Sequence, residues 1–336
     1  MNLNLSQIKE MTSGAARIEK DENGICFYRF TKQQEELYKT RSEDFYMKTF
    51  ATSGVKLSFK TNSQSLFLKA DVVPRSSRSY FSFDVFVDGK KIDTLNNFDD
   101  MQLPRDYTKT KFNLDEASKN FDLGIGDKKV CVYFPWSVSV VLKEISLDDD
   151  CTVEALKPGK KLLCFGDSIS QGYDAFYPSS KYITKLADLL DAEEYNKAIG
   201  GEIFFPELAA AKESFIPDYI TVAYGSNDWN RSTKEAFMHN CRAFFYNLNN
   251  SYPNSKIFVI TPIWRKDMDE PRQLRFKEVE EFIKNQVEKY NNMTCVRGFE
   301  FVPFDEDLFA DLRLHPNDNG FAYYYESLAK EIRELI

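Results

Sequence analysis

The sequence predicts an α/β unit built on a mainly parallel sheet with helices on both faces, preceded by an all-β sandwich of jelly-roll type. Two patterns along the chain carry this reading. Up to about residue 150 apolar residues alternate with period two, whereas beyond Lys157-Pro158-Gly159-Lys160 short apolar runs alternate with helical stretches. The length of 336 residues agrees, since it suits two units of about 150 residues each. The expected division is a β-sandwich over 1–157 and an α/β domain over 158–336.

The first half reads as half-buried strands at Val55, Leu57, Phe59, then Leu66, Leu68, Ala70, Val72, then Phe81, Phe83, Val85, Val87. The third runs into Asp88-Gly89, the strongest short hairpin signal, and further strands are expected at Val130–Phe134 and Val138–Ile145. In the second half, strands are expected at Lys161–Phe165, Glu194–Lys197, Tyr219–Tyr224, Ile257–Thr261 and Met293–Val296. Between them, Ser232-Thr233-Lys234-Glu235 reads as a capping box opening a helix with Phe237, Cys241, Phe244 and Leu248 on one face. A second helix is expected from Pro271, with Val279, Ile283, Val287 and Tyr290 facing inward. The last helix shows Phe321, Tyr325, Leu328, Ile332 and Leu335. A ligand site in such a sheet lies beyond the carboxyl ends of the strands.

Composition narrows the function. With 43% hydrophobic and 29% charged residues, the chain has the make-up of a globular protein. The 52 acidic against 44 basic residues give a net charge of -8, which opposes a nucleic-acid or anionic-membrane partner because phosphates are repelled. The N-terminus lacks a basic start followed by an apolar run, and no segment is long and apolar enough to span a bilayer, so the expected location is cytoplasmic. The six cysteines stand singly with no CxxC pair, as buried reduced thiols do, which gives no support to disulfides, zinc or a catalytic thiol.

The chemistry-bearing residues follow strands. Gly166-Asp167-Ser168-Ile169-Ser170 puts the Ser168 hydroxyl on a strand-to-helix turn, beside free N–H groups and a positive dipole end suited to a developing oxyanion. Taken alone, such a tripeptide is more often just a turn. The second strand leads to Gly200-Gly201-Glu202, where glycine lets the backbone approach a ligand closely, and the third ends in Gly225-Ser226-Asn227-Asp228, which brings a side-chain amide to the same edge. Of the two histidines, His239 lies on the polar face of its helix. His315, in Leu314-His315-Pro316-Asn317 before the last helix, is the candidate general base.

Together these blocks resemble the SGNH (GDSL-like) hydrolase superfamily over roughly residues 160–336, which implies a flavodoxin-like three-layer α/β/α domain. The resemblance implies Ser168 as nucleophile, His315 as base, and an oxyanion hole from the N–H groups of Ser168 and Gly201 with the amide of Asn227. It calls for no metal or cofactor. The family places an Asp three residues before the catalytic His, where this chain has Leu312, so Asp311, Asp307 or a backbone carbonyl remains to orient the imidazole, with Asp311 preferred. Trp264, just after the fourth strand, could wall the acyl pocket or simply pack.

The stretch Ala51 to Ser63, with Phe83-Asp84-Val85-Phe86-Val87-Asp88-Gly89, resembles the sandwich of family-two carbohydrate esterases and acetylxylan-esterase-like proteins. That likeness implies an acetylated sugar or oligosaccharide as the substrate, deacetylated through an acyl-enzyme. The alternatives are a general short-chain acyl-ester hydrolase or thioesterase, and a catalytically lapsed carbohydrate-binding protein. Oligomeric state is not readable.

Overall fold

The computed structural model describes residues 1–114 and 116–336. The second half contains a five-stranded parallel sheet in the spatial order Ala192–Asn196, Lys160–Gly166, Tyr219–Ala223, Lys256–Ile260, Met293–Val296. This is order 2-1-3-4-5, the doubly wound arrangement whose crevice opens at the carboxyl ends of its first and third strands. Helices Tyr182–Leu189 and Asp318–Leu335 cover one face through Ile183, Leu186, Phe321 and Leu328. Helices Lys234–Ser251 and Phe276–Val287 cover the other through Phe244, Leu248, Val279 and Ile283.

All five parallel strands lie within a residue or two of their predicted positions, while one helix cap shifts by a residue and another helix starts five residues late. Thr233 rather than Ser232 caps its helix, accepting the Ala236 N–H. The stretch from Pro271 is loop, and the helix begins at Phe276, where the buried stripe begins.

The first half holds two antiparallel sheets. One runs Thr12–Ser13, Lys56–Thr61, Lys128–Tyr133, Ser82–Val87, Lys90–Asn96, with Val153–Ala155 also on Lys56–Thr61. The other runs Arg17–Lys20, Ile25–Tyr28, Val138–Leu147, Ser65–Pro74, Ala117–Asp122. Alternate residues of both, among them Leu57, Phe59, Leu68, Phe83, Val132 and Val140, fill a single core between the sheets. Asp88 and Gly89, at φ 48° and 80°, form the two-residue turn that the hairpin signal requires.

The alternation gave no sign of helices Lys32–Arg41 and Glu43–Thr49, which leave the sandwich and pack on the α/β unit. Phe30 and Tyr38 are fully buried in the same core as Phe205, Phe244 and Val222. Fully buried Arg29 donates to the carbonyls of Ala51, Asn196 and Ala198, so one guanidinium ties the first half to the segment after the second parallel strand. On the other side of the site, Tyr80, Tyr107 and Trp136 pack against Tyr173 and Phe176. No helix among the described residues is long and apolar enough to cross a membrane.

Candidate active site

Strand Lys160–Gly166 ends where a Cβ on Gly166 would meet Ser170 Oγ at 2.4 Å, so only glycine lets the chain turn this tightly. Asp167 then caps the turn by accepting the Ile169 N–H at 3.0 Å, and burial pushes its carboxyl up to about 6. Ser168 opens helix Ser168–Gln171, which Gly172 closes at φ 111°. Four residues sum little macrodipole, so the dipole expected from the sequence is small and anion stabilisation rests on individual N–H groups.

Ser168 Oγ lies 2.9 Å from His315 Nε2, and His315 Nδ1 lies 2.8 Å from Asp311 Oδ2. The other Asp311 oxygen accepts the N–H groups of Arg313, Leu314 and His315 at 3.1, 2.7 and 3.0 Å. The loop therefore wraps one carboxylate. Burial alone would raise the Asp311 pKa, but the His315 contact and these N–H groups outweigh it and hold the carboxyl well below the usual carboxylate range. An ionised Asp311 places the imidazole proton on Nδ1 and leaves Nε2 to accept from Ser168.

The spacing of four residues is accommodated at Leu312, whose φ of 55° inserts a left-handed turn between Asp311 and His315. Asp307 instead pairs with Arg105 at the surface. A second carboxylate, not singled out from the sequence, stands nearby. Asp174 Oδ2 is 3.4 Å from His315 Nδ1, but both its oxygens are engaged by Arg78 at 2.5 and 2.8 Å, and Tyr80 donates to Oδ1 at 2.6 Å.

Gly200 and Gly201 differ in what their N–H groups do. The Gly200 N–H donates to Gln171 Oε1 at 2.7 Å, whereas that of Gly201 has no protein acceptor among the described residues. Gly201 sits at φ 91°, and a Cβ there would meet Arg231 Nη1 at 2.8 Å. The Ser168 N–H is likewise uncommitted among the described residues. Asn227 donates one amide hydrogen to Glu202 O at 3.0 Å, which fixes the side chain and leaves its second hydrogen unused.

Ser168, Gly201, Asn227 and His315 all line one depression of about 190 Å³. Trp264 does not: it stacks on Phe304 and meets Phe309 edge-on, which is the packing role, and its neighbour Arg265 faces the site instead. His239 is exposed on its helix. Sequence reasoning missed the cationic wall of the depression, which includes Arg78, Arg231, Arg265 and Arg313, because these residues come from separate parts of the chain with no shared motif. A larger groove of about 600 Å³ beside Met268, Arg272 and Phe276 contains none of the motif residues, so size alone does not mark the site.

Residues 164–323 match the model of the GDSL-like lipase/acylhydrolase family. No curated protein matches the chain in sequence. Several solved structures share its fold. The salicylyl-acyltransferase SsfX3 from a tetracycline biosynthetic pathway superposes with a TM-score of 0.81 at 19% identity, covering 96% of this chain and 94% of that one. A family two carbohydrate esterase from Cellvibrio japonicus gives 0.65 at 15% identity over 98% and 96% of the two chains. A Clostridium thermocellum enzyme of the same family, in complex with cellohexaose, gives 0.65 at 14% over 96% and 98%.

Proposed function

From a chain whose residues 164–323 form a GDSL-like acylhydrolase domain, and which is an ester-bond hydrolase, we propose an enzyme that removes acetyl groups from O-acetylated carbohydrates. The observation that carries the proposal is the unbroken Ser168–His315–Asp311 hydrogen-bond chain opening into a small, polar depression. About 190 Å³ suits a short acyl group on a hydroxyl-rich alcohol, and the few apolar side chains there, such as Leu314, give no channel for a long acyl chain. The fold shared with family two carbohydrate esterases supports a carbohydrate alcohol.

His315 Nε2 takes the proton of Ser168 as Oγ adds to the ester carbonyl, and Asp311 stabilises the resulting imidazolium. The carbonyl oxygen gains negative charge, which the N–H groups of Ser168 and Gly201 and the free amide hydrogen of Asn227 stabilise. Collapse of this intermediate breaks the bond to the sugar oxygen, which takes the proton from His315. Water, deprotonated by His315, then adds to the acetyl-enzyme and releases acetate and free Ser168.

A second reading is acyl transfer to an alcohol, supported by the whole-chain likeness to the salicylyl-acyltransferase. The step differs only in what clears the acyl-enzyme. The intact hydrogen-bond chain argues against a lapsed binding protein.

The test is acetate release from acetylated xylo-oligosaccharides, alongside p-nitrophenyl acetate and butyrate. The proposal predicts stoichiometric acetate and a rate falling steeply from acetyl to butyryl. Equal or faster butyryl turnover would sink the acetyl assignment, and acyl transfer to an added alcohol in preference to water would favour the second reading.

A further inference from the structure

We infer that the sugar ester taken by this site bears an oxyanion, a carboxylate or a phosphate, held beside Ser168 by Arg231 and Arg313. This rests on the deacetylase reading and adds the charge of the substrate. Five cationic side chains, Lys48, Arg78, Arg231, Arg265 and Arg313, line the depression, and no Asp or Glu does. In a chain of net charge -8, such one-sided lining is unexpected unless a ligand balances it.

Three carboxylates, Asp44, Asp174 and Asp267, pair with four of these five cations. Asp44 pairs with Lys48, Asp174 takes Arg78 with two hydrogen bonds, and Asp267 takes Arg265 in the same way at 2.5 and 2.8 Å. Arg313 has only a share of Asp267, at 3.3 Å, and its side chain is 51% exposed. Arg231 has no carboxylate within ion-pair distance among the described residues. The guanidinium of Arg231 therefore faces the depression with no carboxylate among the described residues, and that of Arg313 is answered only in part.

Arg231 is also aimed. Its Nη1 donates to Gly201 O at 2.9 Å, which holds the guanidinium over the glycine whose N–H is free, and leaves Nε and Nη2 to bind a ligand. A guanidinium offers parallel N–H groups that match the two oxygens of a carboxylate or phosphate. With an acetyl group on the acyl side, which carries no charge, the oxyanion belongs to the alcohol portion.

The test uses three methyl pyranosides acetylated at the same hydroxyl: a neutral glucoside, the glucuronoside, and the glucoside 6-phosphate. The readout is the charged-to-neutral ratio of kcat/KM, measured in the wild type and in Arg231→Gln/Arg313→Gln. Any general rate loss from disturbing Gly201 cancels in that ratio. The wild-type ratio is expected to reach about 10 or more for at least one anion, as charge-assisted hydrogen bonds give, and to fall with added salt. It should approach unity in the double variant. The anion with the larger ratio identifies the source. Wild-type ratios at or below unity for both anions overturn the inference while neutral-sugar hydrolysis keeps the deacetylase reading. A double variant retaining the wild-type ratio overturns the assignment to these arginines. Turnover of p-nitrophenyl butyrate with none of the three sugars would overturn both readings together.

Discussion

Asp311 has the most specific task of any residue in the site, because its two oxygens divide the work: one meets the imidazole and the other gathers three backbone N–H groups. Asp311→Ala should therefore lose about 10³-fold or more in kcat with p-nitrophenyl acetate, the scale of a lost triad carboxylate. Asp174→Asn should behave differently, since that carboxylate is spoken for by Arg78 and Tyr80. Its kcat should fall less than about tenfold, while thermal unfolding reveals a cost of about 1 to 3 kcal/mol from a half-buried Arg78 left without its carboxylate. An Asp174 variant as inactive as the Asp311 one would reverse the two roles. Asn227→Ala should cost about 10²-fold in kcat, read against an unchanged KM, as one missing oxyanion donor does. The positions of Ser168, Gly201, Asn227 and His315 were legible because each stands just past a strand inside a short motif. Asp311 was legible only as one of three choices, since its reach depends on the backbone at Leu312, which spacing cannot show. Trp264 was left open between wall and packing because a residue following a strand can face either way; it packs, and Arg265 lines the depression.

At the scale of elements, the period of the apolar pattern located every parallel strand, since strands buried on both faces leave continuous runs such as Leu162, Leu163, Cys164, Phe165. Helix Lys32–Arg41 was invisible by the same logic: only Leu37 and Tyr38 among its ten residues are apolar, too few to show a stripe. It nevertheless matters to the site, with its neighbour Glu43–Thr49. Arg41 meets buried Glu202 at 2.8 Å and Lys48 donates to Gly200 O at 3.1 Å, so cations from the first half hold both sides of Gly201. The loop around Asp311 makes a separate prediction. Leu312 is held at φ 55°, a region costly for a branched side chain and tolerated by asparagine. Leu312→Asn should keep esterase activity and raise stability by up to about 1 kcal/mol in urea unfolding. Loss of activity without loss of fold would mean that the Leu312 side chain, rather than its backbone, shapes the site.

For the whole molecule, the buried carboxylates Glu202 and Asp228 set a pH dependence. Burial pushes the Asp228 carboxyl up to about 7, the nearby Glu202 carboxyl adds to that rise, and burial raises Glu202 too. The folded state thus prefers Asp228 protonated, while the unfolded chain releases the proton near pH 4. Stability from this group is present below that value and is lost progressively as pH rises to about 7. Asp228→Asn should flatten the decline in unfolding free energy between pH 4.5 and 7.5, whereas an unchanged slope would locate the cost elsewhere. The sequence showed two halves with different periodicity, but not how they interlock, because Arg29, Phe30 and Tyr38 reach a core that no local pattern connects to them. The proposed function turns on a single act, attack by Ser168 on an ester. The most direct measurement is kcat/KM for p-nitrophenyl acetate in the wild type and in folded Ser168→Ala. Active wild type and a fall of at least about 10³-fold in the variant are expected, while wild-type rates in Ser168→Ala would contradict Ser168 as the nucleophile.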